Sequence, residues 1–410
     1  MIAPQRAADP AWLAEPLHHW RQRAGWVLEQ QITIARTPAP TAQEQARAQL
    51  FRRALHARGL VTRTDAVGNV TARIAPIARS STAESPLVCM AHLDTVFGSA
   101  QPLEVRREGA IVHCPGISDN GRGLAAMIVL AETLAGSVQA QLTRPVHLVL
   151  TVSEEGEGNL RGARHWFTEA AAREALPIAA IAIDGPGDRV IVNRATGSLR
   201  LRITLAGRGG HSGSARAVPN AVNAAGQLIA ALSAHAARVR THTLITITRM
   251  CGGEQLTGVP MRAWIDVDMR ASTRQRLADA RVVVETLAQA RAADESRHDP
   301  SHPLHVTVIV LGERPSGALC AAHPLVAQAM HATRAVDRDP ELAAASTDAN
   351  VPLSLGIPAI TIGAGGSGGG MHTPQEWYDD THGAIGVERV LRLVLAIGTS
   401  VENLEGWRTG

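Results

Sequence analysis

Polar residues that can bind metals or move protons stand repeatedly at the ends of short apolar runs. Runs such as PLVCMA, HLVLTV and PIAAIAI have the length and composition of buried strands. The acids and histidines that follow such runs, or stand in the glycine-rich segments between them, are His92, Asp94, Asp119, Glu154, Glu155, Asp184 and His372. In open α/β sheets, ligands bind beyond the carboxyl ends of the strands. We therefore expect these side chains to converge on one edge of a sheet.

The combination of residue types indicates a site for two divalent metals. Imidazole nitrogens and carboxylate oxygens form a plausible zinc shell, which is also compatible with cobalt or manganese. Two metals that share a carboxylate lie about 3.5–4 Å apart and can activate one water between them. A separate carboxylate must then take the proton of that water, and the adjacent Glu154 and Glu155 can divide the two tasks. Each residue alone has an ordinary structural explanation, such as a helix cap, so the pattern carries weight only as a set.

The elements around these residues alternate between strands and helices. PLVCMAHLD, PVHLVLTVSEE and PIAAIAID have the pattern of buried strands. DNGRGLAAMIVLAETLAG starts at a possible cap and continues as a helix. This alternation predicts an α/β fold with a mixed, mostly parallel sheet.

A different pattern occupies residues 197–312. SLRLRITLAG, VRTHTLITITRM, MRAWIDVDMR and LHVTVIVLG alternate like half-exposed strands, and two helical segments stand among them. The order β-α-β-β-α-β predicts a compact α+β module of the ferredoxin-like type. We therefore expect a discontinuous catalytic domain, residues 1–196 and 313–410, interrupted by this inserted domain.

The composition excludes several classes of protein. The chain has 410 residues, of which 45% are hydrophobic, so it can bury a large core. All forty basic residues are arginines, which excludes Schiff-base and P-loop lysine chemistry. The arginines are scattered and aromatic residues make up only 3%, so nucleic-acid binding is not expected.

The lack of a recognisable targeting signal and the spacing of the cysteines predict a reduced cytoplasmic protein. The N-terminal residues lack the apolar segment of a signal peptide, and no run is long enough to span a membrane. The cysteines lie far apart without a C-x-x-C pair and are expected to be buried free thiols; they are Cys89, Cys114, Cys251 and Cys320.

Six glycines crowd the segment from Gly363 to Gly370, and Gly363, Gly365 and Gly368 fit G-x-G-x-x-G. A dinucleotide site needs a helix that begins at the third glycine. Here Pro374 follows and no amphipathic run does. We therefore predict that this loop, which is poor in Cβ atoms, passes close to the metal centre and presents His372.

The motifs, in this order and spacing, resemble those of the M20 metallopeptidases from about residue 30 to the end of the chain. They are MAHLDTVF, GISDNGRGLAAM, TVSEEGEGNLRGAR, AIDGPG, GRGGHSGSARAVPNAV, DVDMR and GGGMHTPQEW. The resemblance implies a zinc-peptidase catalytic domain with an inserted dimerisation or lid domain. It also implies two divalent metals per subunit, most readily zinc, and hydrolysis of an amide bond in a small peptide or N-acyl amino acid.

The resemblance implies individual roles for the strand-end residues. The five implied metal ligands are His92, Asp119, Glu155, Asp184 and His372. Asp119 would bridge the metals, with His92 and Asp184 on one of them and the remaining pair on the other. Asp94 would orient His92 through its second ring nitrogen. Glu154 would act as general base and then as general acid. The family also often has a cis peptide after the bridging aspartate, which we expect here between residues 119 and 120.

In the inserted domain the resemblance implies substrate contacts and a homodimer. His211, in GGHSG, would reach the partner subunit's site and polarise the substrate carbonyl. Arg270 would bind a substrate carboxylate, and the alternative is an ion pair with Asp266 or Asp268. Thr257 stands where the family often has asparagine, and it offers substrate a hydroxyl in place of an amide.

Three alternatives stay open at this point. An N-acyl amino acid deacylase or another amidohydrolase would use the same metal residues, although EEGEGNLRG and GGGMHT favour the peptidase T-like branch. A catalytically retired binding protein would have lost a metal ligand or Glu154, and all of them are present. A dinucleotide enzyme is supported by the glycines alone.

Overall fold

The computed structural model describes residues 10–77, 85–172, 176–213, 218–297, 299–400 and 406–407. The chain divides into two compact units. Unit 1 extends to Arg194 and resumes at Ala318, whereas unit 2 is Ala195–Gly317. The boundaries expected from the sequence, residues 197 and 312, fall close to these limits.

The described chain alternates between helices and strands. Its α-helices are α1 (Ala11–Gln22), α2 (Ala24–Ala35), α3 (Gln45–His56), α4 (Gly121–Ala135), α5 (Arg161–Ala172), α6 (Ala221–Val239), α7 (Arg274–Ser296), α8 (Pro324–Ala335), α9 (Asn350–Ser354) and α10 (Gly383–Gly398). Its strands are β1 (Thr62–Thr64), β2 (Val70–Ile74), β3 (Leu87–His92), β4 (Arg106–Glu108), β5 (Ile111–His113), β6 (Val146–Thr151), β7 (Ala179–Ile183), β8 (Val190–Ala195), β9 (Gly197–Ala206), β10 (Gly210–His211), β11 (Thr243–Gly252), β12 (Gly258–Val259), β13 (Arg262–Ala271), β14 (His305–Arg314), β15 (Gly317–Ala318), β16 (Glu341–Ala345), β17 (Ala359–Ile362), β18 (Ser367–Gly369) and β19 (Trp377–Asp379).

The large sheet has the strand order β1-β2-β6-β3-β7-β17-β8-β15, and β16 also pairs with β8. Its centre is parallel, because β3 runs parallel to β6 and β7, and β17 runs parallel to β7. Towards the edges, β2 and β8 are antiparallel to their inner neighbours β6 and β17. The predicted α/β fold with a mixed, mostly parallel sheet is confirmed.

Helices cover both faces of this sheet. Leu87, Cys89 and Ala91 of β3 join the core that includes residues of α1, α2, α4, α8 and α10. Val88 and Met90, which point to the opposite face, pack with residues of α5 and α9. Burial on both faces explains why β3 is an uninterrupted apolar run in the sequence. Polar side chains can therefore collect only at the strand ends.

A smaller antiparallel sheet of unit 1 carries the glycine-rich segment. Its order is β18-β19-β5-β4. Val112 of β5 and Tyr378 of β19 pack against Leu28 and Ile32 of α2. The turn between β18 and β19 contains His372, so this sheet supports the residue that the sequence predicts as the last metal ligand.

Unit 2 has an antiparallel sheet with the order β11-β13-β9-β14. Alternate residues of β9, among them Leu201 and Ile203, pack with Leu228 of α6 and Val284 of α7. The chain order β9-α6-β11-β13-α7-β14 reproduces the predicted β-α-β-β-α-β pattern. The short strands β10 and β12 form a separate pair.

The cysteine prediction is half wrong. All four thiols are free, but only Cys89 and Cys114 are buried. Cys251 lies at the exposed end of the edge strand β11, and Cys320 follows β15 on the surface. None of the described helices is both long and apolar enough to cross a bilayer.

Candidate metal centre

The parallel strands bring the predicted ligands to one edge of the large sheet. His92 is the last residue of β3 and pairs with Thr151, the last residue of β6. Glu154 and Glu155 follow β6, and Asp184 follows β7, the other neighbour of β3. Because neighbouring parallel strands end at the same edge, acids from distant parts of the sequence meet around the imidazole of His92.

The carboxylate of Asp119 lies between two histidines. His92 Nε2 is 3.0 Å from Asp119 Oδ1, and His372 Nε2 is 3.1 Å from Asp119 Oδ2. His92 Nε2 also lies 3.5 Å from Asp184 Oδ1, and His372 Nε2 lies 3.0 Å from Glu155 Oε1. Each carboxylate oxygen of Asp119 therefore faces a different imidazole with its own second carboxylate.

The side chains form two groups whose potential ligand atoms lie within 4.8 Å of one another. One group is His92, Asp119 and Asp184, and the other is Asp119, Glu155 and His372. A third group with the same spacing is His92 with Glu154 and Glu155. Nitrogen and oxygen donors in these proportions fit zinc, cobalt or manganese, and three carboxylates would offset most of the charge of two divalent ions.

The electrostatics of the cluster favour cations. Burial alone would lower the pKa of His92, but the carboxylates of Asp184, Asp119 and Asp94 outweigh burial and hold it well above its usual value. Hydrogen bonds to Asp119 and Glu155 raise the pKa of His372 to about 10. Burial would raise the pKa of Asp119, but the two imidazoles hold it below its usual range. The carboxylates thus create a negative potential that stabilises positive charge at this edge.

Asp94 has a wider role than the sequence predicts. His92 Nδ1 lies 3.1 Å from the backbone oxygen of Asp94 and 3.5 Å from its carboxylate. The buried carboxylate accepts the backbone N–H groups of Glu154 at 2.9 Å and Glu155 at 3.0 Å, and the hydroxyl of Thr41 at 2.9 Å. Asp94 therefore holds the backbone of both glutamates as well as the imidazole.

Glu44 fixes the turn that precedes the two glutamates. Ser153 adopts a left-handed backbone conformation with φ of 54°. Glu44 Oε1 accepts the backbone N–H of Ser153 at 2.9 Å, its hydroxyl at 2.9 Å and the N–H of Ala42 at 2.8 Å. Such a conformation is unfavourable for a residue with a Cβ and persists only where surrounding bonds hold it. The result is that Glu154 and Glu155 are both buried and face the cluster.

The loop of Asp119 is joined to the end of β7 by its neighbour Asn120. The peptide bond between Asp119 and Asn120 is cis, as the resemblance led us to expect. The Asn120 side chain accepts the N–H groups of Gly123 and Gly185 and donates to the carbonyl of Ile183 at 2.9 Å. One side chain thus begins α4 and positions the backbone on both sides of Asp184.

Glu376 is a residue of this site that sequence reasoning missed. Its fully buried carboxylate accepts the N–H groups of Gly116 at 2.7 Å, Ser118 at 2.8 Å and Asp119 at 2.9 Å. Burial raises the pKa of Glu376 to about 7, against the effect of these hydrogen bonds. Its position four residues after His372, inside the quoted GGGMHTPQEW motif, was the available signal.

The glycine-rich segment crosses the molecule where Cβ atoms have no room. A Cβ on Gly363 would lie 2.0 Å from the carbonyl oxygen of Pro186. Gly366 has φ of 70°, and its Cβ would lie 2.3 Å from the hydroxyl of Tyr378. The segment continues to His372, whose φ of 65° turns its half-exposed imidazole towards the cluster. These contacts agree with the prediction of a close backbone path that presents His372.

Arg122 supports the same segment from beneath. Its guanidinium is buried, lies over the ring of Tyr378, and donates to the carbonyls of Ala364 at 2.8 Å and Gly383 at 2.5 Å. Its contacts in this chain are structural, because they hold the backbone at the start of the glycine-rich segment and of α10.

The other three predicted site residues lie in unit 2. His211 is exposed, and its Nδ1 accepts the N–H of Gly213 at 3.0 Å. Thr257 is also exposed. It lies close to His211, because the Thr257 carbonyl accepts the backbone N–H of Ser212. Arg270 forms the ion pair that we considered as the alternative, with its Nε 2.9 Å from Asp268 Oδ2. About half of the Arg270 side chain stays exposed.

Comparisons with known proteins gave a family match and similar solved structures. Residues 88–396 match the family model described as peptidase family M20/M25/M40. No curated protein sequence gave a significant match. The matched solved structures include aminopeptidase PepT from Bacillus cereus, with 18% identity, a TM-score of 0.73, and coverage of 91% of this chain and 98% of that chain.

Two further solved structures extend the comparison. A tripeptidase from Staphylococcus aureus has 19% identity and a TM-score of 0.74, over 92% of this chain and 99% of its own. The YXEP protein of Bacillus subtilis, described as a dinuclear metal binding peptidase of the M20 family, has 16% identity and a TM-score of 0.67, over 93% of this chain and 100% of its own. An amidase of the hydantoinase/carbamoylase family is matched as well. At these identities the structures show a shared fold.

Proposed function

The chain belongs to peptidase family M20/M25/M40 and is a hydrolase, and we propose that it cleaves an amide bond in a small peptide with two divalent metals, preferably zinc. The observation that carries the proposal is the placement of Asp119, whose two oxygens face His92 and His372 separately. A carboxylate in this position is suited to two cations, because each oxygen already has a second acid and an imidazole beside it.

The two groups of side chains define which residues would hold the metals. His92 and Asp184 would hold one ion, Glu155 and His372 the other, and Asp119 would be shared. When bound, the pair would lower the pKa of a water and withdraw electron density from the substrate carbonyl. Asp94 supports both halves, because it contacts His92 and accepts the backbone N–H of Glu155.

Glu154 is the proposed general base and general acid. It is buried, and its backbone N–H is fixed by the Asp94 carboxylate at 2.9 Å. It takes the proton of the attacking water as the C–O bond forms, and it gives that proton to the leaving nitrogen as the C–N bond breaks. Its neighbour Glu155 is proposed as a ligand, so the adjacent acids divide the two tasks.

The residues of unit 2 are proposed to complete the site on the substrate side. His211 would polarise the carbonyl at the partner subunit's site in a homodimer formed through residues 197–312, which would also act as a lid. Arg270 would bind a substrate carboxylate, with Thr257 as a further polar contact. The support for these roles is the motif resemblance together with the exposure of all three residues. We propose residues 1–196 and 313–410 as the catalytic domain of a cytoplasmic enzyme.

The test uses Glu154→Gln, a variant that keeps the volume of the side chain and removes its basicity. With zinc, cobalt or manganese supplied, the wild type is expected to hydrolyse some members of a library of di- and tripeptides and N-acetyl amino acids. The variant should keep its bound metals and lose at least about 99% of turnover, since general-base catalysis contributes about 10²–10⁴-fold.

Glu157→Gln is the matched control, because Glu157 is an exposed acid three residues further along the same loop. It should keep turnover within about twofold of the wild type. Hydrolysis by Glu154→Gln at the wild-type rate would refute the assignment of the base. Cleavage of N-acetyl amino acids without cleavage of peptides would favour the second candidate, a deacylase or other amidohydrolase, which uses the same metal residues.

A further inference from the structure

A cavity of about 310 Å³ lies in unit 1 between β1, β2, β6 and α5. It is separate from the metal centre. His147, which lines it, stands near the start of β6, four residues before Thr151, which pairs with His92. At about 3.3 Å per strand residue, this places His147 about 13 Å from the strand end at which the acids converge. A ligand in the cavity would therefore not touch the reacting atoms.

The strand register explains which side chains meet in the cavity. Arg73 of β2 pairs with His147 of β6, and Thr71 pairs with Arg63 of β1. Residues two apart on a strand share a face, so these side chains stand on the face that α5 covers only in part. Trp166 of α5 forms the opposite wall. The cavity thus combines an indole ring with polar groups that belong to the sheet.

His147 contributes a buried nitrogen without a partner. Its ring meets Trp166 edge to face, with centroids 5.9 Å apart. Its Nδ1 is buried and forms no hydrogen bond with any residue that the structure describes. Burial, and then the charge of Arg73, lower the pKa of His147 to about 4, so the imidazole is neutral near pH 7. The His147 ring therefore forms an uncharged part of the cavity wall beside Trp166.

Among the described residues that line the cavity, one charged side chain has no partner. Asp65 is satisfied by its own turn, because its Oδ1 accepts three successive backbone N–H groups, the last from Asn69. Arg63 and Glu169 form an ion pair at 3.4 Å. The guanidinium of Arg73 forms no hydrogen bond or ion pair within the described residues, although it lines the same cavity. The two arginines and two acids balance in formal charge, and the guanidinium of Arg73 is the charged group left without an ion pair, beside a neutral imidazole.

We propose that this cavity binds a small monocarboxylate that carries an apolar or aromatic substituent. The guanidinium of Arg73 pairs with the carboxylate, which its planar fork matches. The substituent packs against Trp166 and Val61, which give the cavity an apolar wall. A single unpaired guanidinium matches a monoanion, and the apolar wall distinguishes such a ligand from acetate or inorganic phosphate.

Phenylacetate is the probe, and phenylacetamide is its uncharged counterpart. Titration of the holoenzyme followed by calorimetry and tryptophan fluorescence is expected to give a Kd of about 0.1 to 1 mM for phenylacetate. Phenylacetamide should bind at least about tenfold more weakly, because it cannot pair with Arg73. Trp166→Phe should remove most of the fluorescence change, which locates binding to this cavity rather than to the metal centre.

Arg73→Gln should weaken phenylacetate binding at least about tenfold without lowering Tm, because Arg73 is exposed and unpaired among the described residues. Arg106→Gln is the matched control, an exposed strand arginine of the small sheet, and it should bind like the wild type. Equal affinity of Arg73→Gln and the wild type would overturn the proposal. So would equal binding of phenylacetamide, or a fluorescence change that persists in Trp166→Phe.

Discussion

Glu376→Gln tests whether one buried carboxylate organises the proposed metal site from outside it. The substitution keeps the size of the side chain and removes its charge. If the glutamine oxygen takes the place of Oε1, it still accepts the N–H groups of Ser118 and Asp119. The amide nitrogen then faces the N–H of Gly116, which the carboxylate accepts at 2.7 Å, and that donor is left without an acceptor.

The expected loss of stability follows from these three bonds. One unsatisfied buried N–H costs about 1–3 kcal/mol. The two remaining bonds lose their charge assistance, which is worth about 1 kcal/mol for each. Together these losses amount to about 3–5 kcal/mol of unfolding free energy, and the neutral amide regains a part of this because it avoids the cost of burying a charge. The measurement is urea unfolding at about pH 8.5. Burial raises the pKa of Glu376 to about 7, so a pH above this value is needed for the wild-type carboxylate to be ionised.

The same variant should weaken metal binding, because the displaced backbone includes Asp119. Loss of a partner that orients metal ligands typically lowers affinity about 10–100-fold. Chelator titration followed by elemental analysis would measure this change. Glu388→Gln is the control, since Glu388 is another buried glutamate, but it pairs with Arg21 and Arg392 away from the cluster. It should lose stability and keep metal affinity. Wild-type stability and metal affinity in Glu376→Gln would refute the reasoning.

Two further predictions concern packing and pH. Gly363→Ala should destabilise the protein by about 3 kcal/mol in urea unfolding, because the new Cβ would lie 2.0 Å from the carbonyl oxygen of Pro186. Gly98→Ala is the control and should keep the wild-type stability, because its Cβ would meet no atom within 4 Å. Equal stabilities of the two variants would contradict the close backbone path. The pKa of His147 is about 4 in the folded protein and 6.5 as a reference, so the unfolded chain binds the extra proton between these values and stability falls as pH falls. From pH 7 to about 4.5 this loss should amount to about 2–3 kcal/mol in the wild type and be absent in His147→Phe; parallel pH profiles of the two proteins would contradict it.

The classes of secondary structure and most of the proposed metal residues were predictable from the sequence for local reasons. A strand buried on both faces, such as β3, must be apolar throughout, so its polar end is conspicuous. Parallel strands end at the same edge, and this rule alone brings His92, Glu155 and Asp184 together. The alternating strands of residues 197–312 likewise indicate a sheet with one buried face, as unit 2 has.

The contacts that hold these residues in place were not predictable, because they join segments that are distant in the chain. Glu376 accepts the N–H of Asp119 across 257 residues, and backbone N–H groups carry no sequence signal. The same reason applies to Asp94, whose carboxylate holds the amides of Glu154 and Glu155. The exposure of Cys251 depends on β11 being an edge strand, which is a property of strand order.

The sequence by itself determined which chemistry is available: imidazoles and carboxylates at strand ends, no lysine, and a loop nearly free of Cβ atoms beside His372. Only the tertiary structure decided how that chemistry is arranged. It placed the two oxygens of Asp119 against different histidines, and it left Arg73 and His147 beside an open cavity far along the same sheet. The physical reason is that residue types and periodicity act locally, whereas hydrogen bonds, ion pairs and cavities depend on which distant segments pack together.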